Sequence, residues 1–334
     1  MNKVLITGGG GFVGAAIVRQ LRARDISCLV VGRHIYPELE AIGATCRAGN
    51  IRDPGFMHEC CQGVDTVFHV ASLAGIWGRW QDYYATNVLG TENVIAGCRS
   101  AGVKSLIYTS TPSVVFNQHS ISNGDESLPY ADRFLCHYAC SKVMAERLIL
   151  AASDLHLRTC AIRPHLVWGP GDPHLIPRLI ERGRKGQLRQ VGAGENLVDI
   201  SYVDNVAHAH LLAADNLAGV GTASGRAYFI SQGEPVNLWS WINELFARLD
   251  IRPVHAKISY PVAYGIGILL EGFYGLAGWQ QEPRMTRFLA QQLAKSHYFS
   301  IARAQHDLGY QPLVSTEQGM ERVVTSFTNS LAKQ

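Results

Sequence analysis

Tyr138 and Lys142 are four residues apart in the run Tyr138-Ala139-Cys140-Ser141-Lys142. Residues at that spacing share one face of a helix, so a helix over 138–152 places Lys142 beneath Tyr138. A free phenol titrates near pH ~10 and is a poor base at neutrality. A neighbouring ammonium favours the phenolate, and lowering the pKa by ~3 units takes ~4 kcal/mol of differential interaction. The chemistry such a pair offers is movement of a proton between the phenol and a carbonyl or alcohol oxygen. Just upstream, Thr109-Ser110-Thr111-Pro112-Ser113 ends an apolar run with four hydroxyls. Thr111 is the expected holder of the substrate oxygen, with Ser110 as its substitute. Asn87 lies inside an expected helix, where asparagine is mildly unfavourable; its amide is expected to hold a water that relays protons to Lys142.

These residues need a scaffold, and the first half of the chain supplies one. Short apolar runs at Val4–Thr7, Ser27–Val31, Thr45–Ala48, Asp65–Ala71, Ser105–Ser110 and Arg158–Arg163 read as strands. Runs of helical period separate them, at Phe12–Arg24, Tyr83–Arg99 and Tyr138–Ala152. Repeated βα units of this kind build a parallel sheet covered on both faces. Beyond Pro164 a helix near Ile176–Gly183, a strand near Leu197–Tyr202 and a helix at Asn205–Asn216 are expected, then a mainly helical remainder. The expected fold is an α/β Rossmann type, a doubly wound parallel sheet with a smaller mixed α/β C-terminal region. Residues 1–165 form mainly the dinucleotide-binding domain. Residues 166–334 form mainly the substrate-binding region, some of whose segments complete the sheet.

The turn after the first strand is Thr7-Gly8-Gly9-Gly10-Gly11-Phe12-Val13-Gly14. It follows a strand and opens a helix, the context a pyrophosphate-binding turn requires. Gly8, Gly11, Phe12, Val13 and Gly14 are therefore expected to hold a dinucleotide. An acidic residue at the end of the second strand would accept bonds from the adenosine ribose and repel a 2′-phosphate. This chain has Gly32 there, then Arg33, which can pair with a phosphate bidentately. NADP(H) is the expected cofactor, with NAD(H) left open.

A hydrophobic content of 47% against 17% charge marks a folded globule, and a net charge of +3 gives no case for nucleic acid. The eight cysteines form no CxxC pair and no zinc spacing, so no metal is expected, and all are read as reduced thiols of a cytoplasmic protein. The first residues read as a strand and turn, not a signal peptide. From Ser259 to Trp279 the only charge is Glu271, but Pro261 and five glycines interrupt the stretch. A buried helix or one lying on a membrane surface is expected rather than a span.

The glycine turn, Asn50 and Ile51 in RAGNIRDP, Val70-Ala71-Ser72, Asn87, the TSTPS run, YxxxK and Arg163-Pro164 together resemble the extended short-chain dehydrogenases/reductases over nearly the whole chain. IYTSTPSVVF, RPHLVWGPGD and the segment from Glu282 to Pro312 resemble the 3β-hydroxysteroid and sterol-carboxylate dehydrogenase branch. Within it the chain is similar to bacterial 2-alkyl-3-oxoalkanoate reductases of long-chain olefin biosynthesis. The resemblance implies NADPH-dependent reduction of a lipophilic β-keto acid to the 3-hydroxy acid, with 3β-hydroxysteroid or sterol-4α-carboxylate oxidation as the alternative. It implies that Asn50 and Ile51 lie near the adenine, that Val70, Ala71, Ser72 and the backbone at Pro164–Val167 line the nicotinamide and its ribose, and that Lys142 bonds the ribose hydroxyls. Two departures stand out: Asn50 for the commoner aspartate, and Thr111 for serine. A homodimer is implied too, as is assembly with a β-lactone synthetase and a β-lactone decarboxylase.

A long alkyl substrate needs an apolar channel. Ile76–Trp80 and Val262–Trp279 are expected to supply it, with Arg79 or His165 facing a carboxylate, and the apolar helix is where peripheral membrane contact is expected. Two other functions compete. A sugar-nucleotide epimerase or dehydratase needs cationic groups in the C-terminal region, and RQVGAGENLVDISYVD offers few. A dehydratase also needs an acidic pair beside the threonine, where this chain has Pro112 and Ser113. A non-catalytic NADP(H) sensor would not need both Tyr138 and Lys142.

Overall fold

The structure, a computed structural model, describes residues 1–331. Seven strands form one parallel sheet: β1 (Lys3–Thr7), β2 (Ser27–Gly32), β3 (Thr45–Ala48), β4 (Thr66–His69), β5 (Ser105–Thr109), β6 (Arg158–Pro164) and β7 (Arg226–Ile230). Their spatial order is β7-β6-β5-β4-β1-β2-β3. The chain winds outward from β1 in one direction and then from β4 in the other, which opens a crevice at the carboxyl ends of β1 and β4.

Helices cover both faces: α1 (Phe12–Arg22), α2 (Gly90–Ala101), α3 (His137–Ala151) and α4 (Val203–Ala218), with α5 (Tyr260–Leu276) on the C-terminal region. Side chains alternate along β1, so Val4 and Ile6 pack with Ile17 of α1 and Leu211 of α4, while Leu5 packs with Val94 of α2 and Ile149 of α3. Both faces are buried, which is why these strands read as continuous apolar runs.

Four readings change. The helix expected over Tyr83–Arg99 is a short helix at Trp80–Tyr83, a π-helical turn at Tyr84–Leu89, and then α2. The strand expected over Leu197–Tyr202 divides: Leu197–Val198 joins a four-stranded sheet with Val236–Asn237, His297–Phe299 and Ile121–Gly124, whereas Ser201–Tyr202 pairs with Val167–Trp168. β7 comes from a region read as mainly helical and completes the large sheet beside β6. Helix α5 is not buried, one of the two placements expected for it. No described helix is long and apolar enough to cross a membrane. Only Ala263 and Gly267 of α5 are buried, and Leu269 and Leu276 are 73% and 93% exposed. Gly267 is where α5 docks, since a Cβ there would lie 2.7 Å from the Arg287 nitrogen.

The two halves of the chain interleave. α4 and β7 belong to the large sheet, and Ile121–Gly124 of the first half belongs to the smaller one.

Candidate active site

The glycine turn is packed as tightly as a backbone allows. Gly8 has φ +68°, and a Cβ on it would lie 2.7 Å from the Ala71 backbone; one on Gly14 would lie 2.3 Å from the Gly8 carbonyl oxygen. Only glycine meets both requirements. Gly11 caps α1 with no side-chain bond, and the first turn carries no acidic residue. The N–H groups and partial positive charge of that helix end therefore face the crevice without a competing anion.

A cleft of about 750 Å³ runs along the carboxyl ends of the strands. Gly8, Gly11, Phe12, Val13 and Gly14 line its floor. Arg33, Asn50 and Ile51 line one end, and Val70, Ala71, Ser72, Pro164 and Val167 its middle, beside Thr111 and Tyr138. The structure thus brings together in one cavity every residue expected at a dinucleotide except Lys142. The residues present fit the group: a glycine cradle, an uncapped helix end, and the exposed Arg33 at the end of β2, which makes no ion pair among the described residues. Asn50 uses its Oδ1 to accept from the Arg52 nitrogen at 3.0 Å, which leaves its amide N–H groups for a ligand.

Tyr138 opens α3 and is half-buried. Burial pushes its phenol well up, the neighbouring Cys136 adds to this, and the nearby Thr111 hydroxyl works against it; the Thr111 hydroxyl itself donates to the Ser113 Oγ at 3.2 Å. Thr111 also accepts from the Ser113 nitrogen at 3.2 Å. Between the two expected hydroxyls, Thr111 is the one directed at Tyr138; the Ser110 Oγ is buried without a partner. Lys142 lies below, 1% exposed, and lines no part of the cleft. Its Nζ donates to the Thr109 carbonyl at 2.6 Å and sits 4.0 Å over the Tyr108 ring. Burial pulls its pKa down to about 7, against the pull of Glu146 one helical turn on. Glu146 is itself paired with Arg163 at 2.5 Å and accepts from the Tyr130 hydroxyl at 2.8 Å.

Asn87 sits in the π turn, 2% exposed. Its Oδ1 accepts from the Leu73 nitrogen at 2.6 Å, and its Nδ2 donates to the Leu73 carbonyl at 3.0 Å and to the Ser141 hydroxyl at 2.9 Å. Both amide protons are used within the protein. The π turn widens the helix where Asn87 must reach two neighbours, a common use of such turns.

Arg79 and His165, the two residues named for a substrate carboxylate, both make contacts within the protein. Arg79 is exposed and paired with Asp82 at 2.9 Å, three residues along the chain. His165 packs edge-on against His297 at 4.7 Å and near Phe299, and burial takes its pKa well below the ordinary imidazole value. A neutral buried imidazole is a poor counter-ion. Sequence reasoning missed Tyr36, Arg52, Leu73 and His174, all of which line the cleft. Tyr36 closes over two glycines: a Cβ on Gly10 would lie 2.1 Å from its ring, and one on Gly32 2.5 Å from its hydroxyl. Nothing local marks that residue, because its place depends on the path of the loop after β2. In the loop after β4, Trp77 donates its indole N–H to the Trp279 carbonyl at 3.0 Å and stands edge-on to Tyr274, tying that loop to α5. Among the described residues no cluster of three metal-ligating side chains exists, and all eight cysteines are free.

Fold and site together define an oxidoreductase that acts on CH–OH groups, built on a Rossmann sheet with a tyrosine–lysine helix. Residues 5–262 match the 3-beta hydroxysteroid dehydrogenase/isomerase family, and the chain belongs to that family. It is 46% identical to a 2-alkyl-3-oxoalkanoate reductase of Shewanella oneidensis, over 98% of this chain and 87% of that one. It is 37% identical to the mouse (Mus musculus) sterol-4-alpha-carboxylate 3-dehydrogenase, decarboxylating, over 98% and 91%. Among solved structures, MoeE5 in complex with UDP-glucose and NAD is similar with a TM-score of 0.75 and 26% identity, over 99% of this chain and all of that one.

Proposed function

We propose that this protein reduces a lipophilic β-keto acid, a 2-alkyl-3-oxoalkanoate, to the 3-hydroxy acid with NADPH. The observation that carries the reading is similarity along 98% of the chain to a reductase of that name. The sterol relative's name describes related chemistry, with a carboxylate on the carbon next to the reacting one.

The nicotinamide cofactor, when bound, supplies the hydride. The glycine turn and the α1 N-terminus would hold its pyrophosphate, Val70, Ala71, Pro164 and Val167 would line the place of its nicotinamide, and Arg33 would pair with a 2′-phosphate. Thr111 and Tyr138 grip the substrate carbonyl oxygen. Burial keeps Tyr138 protonated at neutral pH, so the phenol donates its proton to that oxygen as the carbon is reduced. Lys142 holds the Thr109 carbonyl and thereby the strand end from which Thr111 projects. The exposed apolar face of α5, joined through Trp279 and Trp77 to the loop whose Leu73 and Ala74 line the cleft, suits an alkyl chain arriving from a lipid phase.

The test is NADPH oxidation by the purified protein with a long-chain 2-alkyl-3-oxoalkanoic acid, beside NADH and beside a 3β-hydroxysterol with NAD(P)⁺. Turnover with the keto acid and NADPH, abolished by Tyr138→Phe, supports the reading. Sterol oxidation with NAD⁺ alone would leave the fold and family in place and replace substrate and cofactor.

A further inference from the structure

His69 ends β4, immediately before the Val70-Ala71-Ser72 run along the cleft, and is completely buried. Its Nδ1 lies 2.7 Å from the Thr7 hydroxyl and its Nε2 2.9 Å from the Thr91 hydroxyl. Thr7 and Thr91 are completely buried too. The ends of this chain fix the protons within it. Thr91 has one hydroxyl proton and donates it to the Asn87 carbonyl at 2.6 Å, an oxygen that can only accept. The Thr91 oxygen must therefore accept from His69, so Nε2 carries the ring proton. Nδ1 is then the bare nitrogen, and Thr7 donates to it. The Thr7 oxygen is left to accept from the Ala71 nitrogen at 3.3 Å. Every donor is used once, in a single direction, and only with a neutral ring.

The chain does not stop at Asn87. That residue's side chain holds both backbone groups of Leu73 and donates to Ser141, and Ser141 donates to the Tyr138 carbonyl at 2.8 Å. The strand end that opens the glycine turn, the loop after β4, the π turn and the first turn of the catalytic helix are thus linked through one imidazole. A second cation at His69 would also face Lys142, whose ammonium lies over the Tyr108 ring that His69 itself contacts at 5.4 Å.

We propose that His69, as the neutral Nε2–H tautomer, is a positioning residue that locks the π turn through Thr91 and so sets the place of Tyr138 relative to the glycine turn. The inference rests on the reading of Tyr138 as the proton donor. Small misplacements of a reacting group can cost on the order of a hundredfold in rate.

Two measurements test it. Two-bond ¹H–¹⁵N NMR of the imidazoles in the wild-type chain, with His69→Gln to assign the signal, should show the proton on Nε2 and a bare Nδ1 from pH 7 to 5. An Nδ1–H tautomer, or protonation of the ring in that range, overturns the inference. Kinetically, Thr91→Val should lower kcat at least about tenfold while the dissociation constant for NADPH, read by fluorescence, stays within about twofold; Thr91→Ser should restore kcat to within about threefold. A Thr91→Val variant with wild-type kcat, or one whose loss lies wholly in cofactor affinity, overturns it. If Tyr138→Phe itself keeps turnover, the proton-donor reading fails instead.

Discussion

The Lys142 ammonium lies 4.0 Å over the Tyr108 ring and bonds the Thr109 carbonyl at 2.6 Å, so the aromatic residue and the cation form one unit beneath the site. Burial holds the lysine near pH 7, well below its ordinary value. Between about pH 7 and its ordinary pKa the unfolded chain keeps a proton that the folded chain has lost. Stability from this residue therefore rises with pH across that window, and at neutrality the buried cation is a burden. Lys142→Met, close in volume and apolar, should leave Tm at neutral pH equal to or above that of the wild type while lowering kcat at least about a hundredfold. A clear fall in Tm by calorimetry would show that the bond to Thr109 outweighs desolvation.

The Thr111 hydroxyl is the one that reaches Tyr138, while the Ser110 Oγ is buried without a partner. Thr111→Val should cut kcat about a hundredfold or more, and Thr111→Ser should keep most of it. Ser110→Ala should be nearly neutral for kcat. Steady-state rates for the three variants decide between the two hydroxyls; a large loss in Ser110→Ala with Thr111→Val intact would reverse the assignment.

Much of this site was legible because its signals are local. The glycine turn needs a strand before it and a helix after it, both of which show in Val4–Thr7 and in the period from Phe12. Tyr138 and Lys142 need only one helix face. The parts that were not legible depend on the path of the chain in space. His69 reads as one polar residue in a buried strand, and its partner Thr91 is 22 residues on. The π turn at Tyr84–Leu89 has ordinary helix-forming neighbours and exists because Asn87 must reach Leu73 and Ser141. β7 is only five residues, and its pairing with β6 brings it into the large sheet from far along the chain. α5 is apolar apart from Glu271, which bonds Arg287, so its hydropathy did not show which face would be left exposed.

At the end of β2 the chain has Gly32 in place of an acidic residue, Arg33 makes no ion pair among the described residues, and Tyr36 crowds Gly32. Arg33→Ala should raise the dissociation constant for NADPH roughly tenfold and leave that for NADH within about twofold, the loss expected of one charge-assisted contact. Gly32→Asp should weaken NADPH without improving NADH, because the new Cβ would meet the Tyr36 hydroxyl at 2.5 Å. Adding Tyr36→Ala should then let NADH bind. Fluorescence titration of the single and double variants measures each step, and equal effects of Arg33→Ala on both cofactors would remove Arg33 from the phosphate site.

The pH dependence of stability follows from buried imidazoles. Burial lowers His69 to about 3 and His210 to about 4, and lowers His165 and His297 as well. Below the ordinary imidazole pKa the unfolded chain binds protons that these rings refuse until far lower pH, so stability is lost as pH falls from about 6.5. Asp199 works in the opposite sense. Burial raises it to about 7, and its folded carboxyl holds a proton that the unfolded chain gives up above the ordinary carboxylate value. Burial also lowers His208 and raises Glu126; five rings outweigh two carboxyls, and the net result is acid sensitivity of roughly 1.4 kcal/mol per pH unit for each uncompensated ring. Calorimetry from pH 7 to 4.5 should show a steady fall in Tm. His210 bonds the Val206 carbonyl and the Thr109 hydroxyl, and His210→Gln should remove about one proton from the slope even where it lowers Tm throughout. A slope unchanged by that variant would mean that His210 is protonated within the fold.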